Sequence, residues 1–164
     1  MKSYSREDQR IMALWAANCA ERVLPLFERA RPEDGRPRHA IQACREWGET
    51  GVFRMADIRR ASLDAHAAAR TAKADDDGAC FAARAAGQAV ATAHVPQHAF
   101  GGSYYALKAL AASDREHAET VVAAEREWQA QKLPEDLKQE FRIRVVIETR
   151  RTGIFVRVRK DGDF

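Results

Sequence analysis

An all-α fold, with six or seven helices bundled around one alanine-rich central helix, is what this chain predicts. Three observations predict it. Apolar residues recur three and four apart through most of the 164 positions. Alanine supplies much of the 46% hydrophobic content, so the core must rest on many close helix contacts rather than on bulky side chains. Pro37, Gly51 and Pro134 fall where one periodic stretch stops or the next begins.

The first helix is capped by Ser5 and carries Glu7 and Asp8 in its opening turn. Its stripe of Ile11, Leu14, Trp15, Cys19, Val23, Leu26 and Phe27 reaches about residue 30. Pro25 inside that stripe removes one backbone hydrogen bond and should kink it. After the loop at 31–36, Pro37 takes the first position of a second helix. That helix buries Ile41, Cys44 and Trp47 and ends at Thr50-Gly51. A third runs from about Arg54 to Ala74, with Ile58, Ala61, Ala65, Ala68 and Ala72 facing inward.

The central helix follows Asp75, Asp76 and Asp77, acids that cap free N–H groups and oppose the positive helix end. Phe81, Ala85, Ala89 and Ala93 form one row of its 79–95 segment, and Ala82, Ala86 and Val90 another. Rows of small side chains admit neighbours at the short end of the usual ~8–10 Å spacing. Pro96 bends or ends this helix, and Gly101-Gly102 allows a second break before Tyr104. Ser113 and Glu116 have capping-box spacing, which starts a helix at about Asp114 and carries it to Gln131.

Pro134 opens a last helix, read as far as about Glu148 and followed by an extended tail. Alternation through Phe141, Ile143, Val145 and Ile147, and again through Ile154, Val156 and Val158, keeps a C-terminal hairpin open. The expected division is a helical domain over 1–148 and a basic tail over 149–164.

Net charge is +3 with 31% charged residues, which suits a soluble protein and is too small to argue for nucleic acid by itself. No run approaches the ~18 apolar residues of a membrane span. The opening MKSYSREDQR lacks the apolar segment of a secretory signal, so a cytoplasmic location is expected. Cys19, Cys44 and Cys80 each sit in an apolar helical pattern and read as reduced core cysteines, a catalytic thiol being the alternative.

His94 and His98 are four apart, the spacing that sets two imidazoles on one helix face for a metal. His66 is the third ligand if the helices are neighbours. Pro96 spoils the helix between the pair and no glutamate base intervenes, so hydrogen-bonded pocket histidines are the alternative, and neither metal nor cofactor is expected. Asp64, His66 and Arg70 form a polar strip on one helix, as do Arg84 and Gln88 on the next. They are either solvated faces or one cluster in which Arg70 or Arg84 pairs with Glu21 or Asp64. Ser103, Tyr104, Tyr105 and Lys108 after two glycines offer a phosphate-facing helix start. The basic tail (Arg142, Arg144, Arg150, Arg151, Arg157, Arg159, Lys160) is interleaved with Glu140, Glu148, Asp161 and Asp163, so a solvated end is expected over a nucleic-acid site.

Several stretches together resemble a family of small helical bacterial immunity proteins of polymorphic toxin systems. They are the residues from Trp15 to Glu28, Arg36-Pro37-Arg38 with Ala40-Ile41 and Trp47, and Ala65-His66-Ala67-Ala68-Ala69-Arg70. Residues 83–89, Ala93-His94-Val95 with His98-Ala99, residues 105–109 and Leu133-Pro134-Glu135 complete the series. The likeness runs from about residue 11 to 140. Members often carry Asp at the place of Asn18 and a residue other than proline at the place of Pro96.

The resemblance implies a protein that neutralises a cognate toxin by direct binding, without catalysis. Residues shared across a family whose toxins differ are better suited to fixing the fold or lining one common pocket than to toxin contact. On that ground Trp15, Glu21, Arg36, Arg38, His66, Arg70, Arg84, His94, His98 and Lys108 are read as a structural or ligand cluster. Tyr4, Phe100, Tyr104, Trp128 and Phe155 are the aromatic candidates for anchoring an interface. One alternative function is a small-ligand or metal-binding protein, hydrolytic or not, built on the histidines with Glu21 and Arg70 or Arg84. The other is nucleic-acid binding through the tail. A homodimer stays open, and no membrane partner is expected.

Overall fold

Ser5 and Asp8 close a reciprocal capping box: the Ser5 hydroxyl accepts from the Asp8 N–H at 3.0 Å, and the Asp8 carboxylate accepts from the Ser5 N–H at 3.2 Å. From there α1 (Arg6–Ala30) runs without a break through Pro25. The computed structural model describes residues 2–162 and Phe164, so Asp163 of the tail lies outside the described residues. α2 (Arg36–Thr50) has Pro37 in its first turn and stops at Gly51, whose φ of +70° is the left-handed geometry glycine adopts freely. α3 (Met55–Ala72) buries the five positions its periodicity marks. α4 (Asp77–Ala91) is capped by the Asp76 carboxylate, which accepts from the Ala79 N–H at 2.8 Å.

The chain continues through α5 (His98–Ser113), α6 (Ala118–Gln131) and α7 (Glu135–Arg144) into an antiparallel hairpin, β1 (Val145–Arg150) and β2 (Gly153–Val158). α4 packs against α1, α2, α3 and α5, so the alanine-rich helix is central, as its composition predicts. Ala82, Ala83, Ala85, Ala86 and Ala89 are all fully buried. No helix among the described residues is long and apolar enough to cross a membrane.

Four local expectations give way. Gly101-Gly102 does not break α5, and Tyr104 and Tyr105 lie in mid-helix, so the phosphate-facing start does not exist. The glycines serve approach instead. A Cβ on Gly102 would stand 3.4 Å from the Ala16 Cβ and 3.6 Å from the Ala85 carbonyl, and one on Gly101 only 2.6 Å from Gln88 Oε1. Gly102→Leu should therefore cost about 1–3 kcal/mol through overpacking. Urea titration checks this: the midpoint falls while the slope holds.

Ser113 does not cap the next helix, because its hydroxyl donates back to the Leu110 carbonyl at 3.1 Å. The Asp114 carboxylate accepts from the His117 N–H at 3.1 Å in the turn before it, and α6 starts at Ala118 after His117, with no side-chain cap. Phe100 is 1% exposed and belongs to the core rather than to an interface.

The last correction is at the C-terminal end. α7 stops at Arg144 instead of reaching Glu148. Val145, Val146 and Ile147 are stiff, branched residues that pair with Val158, Arg157 and Val156 across the hairpin. Val145, Ile147, Val156 and Val158 then pack on the helical core, and the Phe164 ring lies 6.4 Å from that of Phe100.

Candidate functional site

α4 is buried on every side but one. Its single open stripe is Asp77, Phe81, Arg84, Gln88 and Ala91, spaced four, three, four and three. α3 and α5 flank this stripe, and the side chains they lean across it make the site. His66 of α3 rests on Gly87, where a Cβ would meet its Nε2 at 2.9 Å, so only glycine lets the ring lie so close to α4. Ser62, one turn earlier, donates to the Gly87 carbonyl at 3.0 Å. On the α5 side, His98 Nδ1 stands 2.7 Å from Gln88 Oε1. An oxygen partner makes Nδ1 the protonated nitrogen of the neutral ring, and Nε2 is left as an acceptor.

Gln88 and His98 are the wall shared by two depressions. The first, about 480 Å³, lies between α3 and α4 and is lined by Met55, Ile58, Leu63, His66 and His94. The second, about 560 Å³, lies between α5 and β2 and is lined by Val95, Tyr104, Val156, Val158, Lys160 and Phe164. No Asp or Glu side chain among the described residues lines either. Cations do approach. The Arg84 guanidinium lies 5.6 Å from the Tyr105 ring centroid, and its Nε is buried without a hydrogen-bond partner among the described residues. Lys108 Nζ sits 4.5 Å from the Phe81 ring and 3.3 Å from the Tyr104 hydroxyl. Arg70 is exposed on α3. None of these three cations forms an ion pair among the described residues.

Burial lowers the pKa of His66, helped by Arg84, Arg70 and His98. Burial likewise lowers that of His98, helped by His94 and Lys160. Both rings stay neutral in the folded protein at a pH where the unfolded chain begins to charge them. The unfolded state therefore binds more protons as pH falls below about 6.5, and stability is lost in that direction. A melting temperature followed from pH 7.5 to 5.5 should decline, and replacing both histidines by asparagine should flatten the slope.

Of the ten residues marked from sequence, Trp15 lies in the core and six share one face: His66, Arg70, Arg84, His94, His98 and Lys108. The other three do not join them. Glu21 pairs with Arg45, Arg38 Nε with Glu28 at 2.7 Å, and Arg36 Nε with Asp34 at 2.9 Å. Neither Arg70 nor Arg84 pairs with Glu21 or Asp64, because Arg84 turns to Tyr105. His94 and His98 do not sit on one helix, since α4 ends at Ala91 and α5 begins at His98. No three His, Cys, Asp or Glu side chains among the described residues are grouped to hold a metal ion.

The three cysteines are free and buried; burial pushes the Cys44 thiol up to about 12, so it is a core group rather than a nucleophile. In the tail, Arg142 pairs with Glu127, Arg144 with Glu140, and Arg150 and Arg157 share Glu148.

Sequence reasoning missed the apolar rim. Met55 is 46% exposed and Leu63 57%, beside Val52 and Phe53. The signal was there: Leu63 lies off the stripe of Ile58, Ala61 and Ala65, an apolar residue on the polar side of its helix.

A family model described as Imm-5 like putative immunity protein matches residues 2–136, which spans α1 to the first turn of α7. No curated protein and no solved structure matches the chain. The matched segment contains the whole α3–α4–α5 face and excludes the hairpin. With most of its length and all seven helix starts inside the match, the chain belongs to the Imm-5-like immunity protein family.

Proposed function

We propose that this protein neutralises a cognate toxin by direct binding, without chemistry of its own, in the cytoplasm of the bacterium that makes it. The observation that carries this reading is the meeting, on one face, of an exposed apolar rim (Met55, Leu63) with Arg70, Arg84 and Lys108, cations that form no ion pair among the described residues. A stable interface needs roughly 800 Å² per partner and an apolar centre. The face supplies that centre and asks for an acidic surface opposite. The tail does not suit nucleic acid, since four of its arginines already pair with glutamates.

The test is to express the toxin domain encoded beside this gene, with and without this protein. Growth rescued by co-expression, together with co-elution as one complex on gel filtration, is the expected result. Full toxicity and separate elution would overturn it. A second reading, a small anion held by this face, is favoured by the partnerless Nε of Arg84. It predicts an anion in native mass spectra of the purified protein that Arg84→Ala removes.

A further inference from the structure

The hairpin exposes a strand edge, and the hydrogen-bond pattern shows which residues form it. A two-residue loop, Arg151-Thr152, closes the Arg150↔Gly153 pair. In an antiparallel ladder, pairs that exchange hydrogen bonds alternate with pairs that do not. Counting from the loop, Gly153, Phe155 and Arg157 bond to β1, and Arg159 N–H donating to the Arg144 carbonyl at 2.8 Å keeps that phase. Ile154, Val156 and Val158 therefore aim their N–H and C=O groups away from β1. The opposite edge is partly covered: Arg126 Nε of α6 donates to the Val145 carbonyl at 2.8 Å. The β2 edge instead opens on the groove above α5, whose lining includes Val156, Val158, Val95, Gly101 and Tyr104.

We infer that this groove accepts an extended, acidic segment of a partner protein as a third strand beside β2. Three edge residues spaced two apart span about 13 Å, the length of some five residues of an added strand. Alternate side chains of that strand would rest on the apolar floor, and the others would face the rim. The rim is positive. Lys160 forms no ion pair among the described residues, and Arg157 shares the single Glu148 carboxylate with Arg150.

A second copy of β2 is the poorer occupant, since its residues 153–160 carry no carboxylate to meet Arg157 and Lys160. An acidic strand with apolar residues at every second place is the occupant that fits. The hairpin lies outside the segment matched by the family model, the part of the chain where contacts particular to one partner belong. The inference takes from the toxin-binding reading only that the partner is a protein.

The probe is a capped seven-residue peptide alternating valine and glutamate, labelled with fluorescein and titrated with the full chain at pH 7.5. Saturable binding is expected, weakening with added salt. A peptide N-methylated at alternate amides should bind at least tenfold more weakly, as should one carrying lysine for glutamate. Val156→Pro removes an edge N–H, uses no ladder donor, and should also weaken binding at least tenfold, with a thermal melt read beside it because the Val156 side chain packs on the core. Should Val156→Pro unfold the protein, the N-methylated peptide decides on the unaltered chain. No binding up to 1 mM peptide overturns the inference, and so does equal affinity for the N-methylated or the lysine peptide. Toxin protection without peptide binding would sink this edge alone, and peptide binding without protection would sink the toxin reading alone.

Discussion

Trp15→Ala is expected to lower the unfolding free energy by roughly 3–5 kcal/mol, the usual cost of emptying a buried aromatic site. Trp15 is 2% exposed on α1, and its ring meets Phe100 of α5 at 6.4 Å and Phe141 of α7 at 5.2 Å, both edge-on. Its indole N–H donates to the Gln129 carbonyl of α6 at 2.8 Å. One side chain therefore ties the first helix to the last three. Alanine would leave the cavity and also take the shorter of two hydrogen bonds from the Gln129 carbonyl, which keeps the Lys132 N–H at 3.3 Å. For a chain of this size the melting temperature should fall by about 2–4 °C per kcal/mol. Trp128→Ala is the contrast: that ring is half-buried under the Arg22 guanidinium, 3.9 Å from its centroid, and should cost far less. Equal losses from the two variants would mean that α6 and α7 do not dock on α1 through Trp15.

What was legible in the sequence was whatever depends on local spacing. The alanine rows of α4, the Ser5 cap, Pro37 and Gly51 each act within a few residues, and each is where periodicity puts it. What failed depended on a distant partner. Gly101-Gly102 carries the same local signal whether it breaks a helix or admits one, and only the nearness of Ala16 and Gln88 decides. Residues 145–148 satisfy a helix period and a strand period alike, and the pairing with 155–158 settles it. The site followed the same division. His66, Arg70, Arg84, His98 and Lys108 share a face because helical spacing put them there, whereas Glu21 was lost from the cluster because Arg45 lies nearer. Shared spacing marks a face; it does not name who pairs across it.

The double variant Met55→Asp with Leu63→Asp should leave the fold intact and abolish toxin protection. Both side chains are about half exposed on α3 at the rim of the first depression, so their replacement should change stability by about 0.5 kcal/mol or less. An interface centred there would lose two apolar contacts and gain two buried carboxylates. They would face the acidic surface that Arg70, Arg84 and Lys108, which form no ion pair among the described residues, are suited to meet. Central residues of this kind cost about 2 kcal/mol or more apiece, roughly thirtyfold each in affinity, so the pair should weaken binding about a thousandfold. Calorimetric titration against an inactive form of the toxin reads the affinity, and a thermal melt confirms the fold. Glu21→Ala is the matched control, because it breaks only the exposed pair with Arg45 on the far side, a contact worth about 0–1 kcal/mol, and should leave affinity unchanged. An unaltered affinity in the folded double variant would move the docking surface off α3. A loss shared equally by Glu21→Ala would show that the effect travels through stability and not through contact.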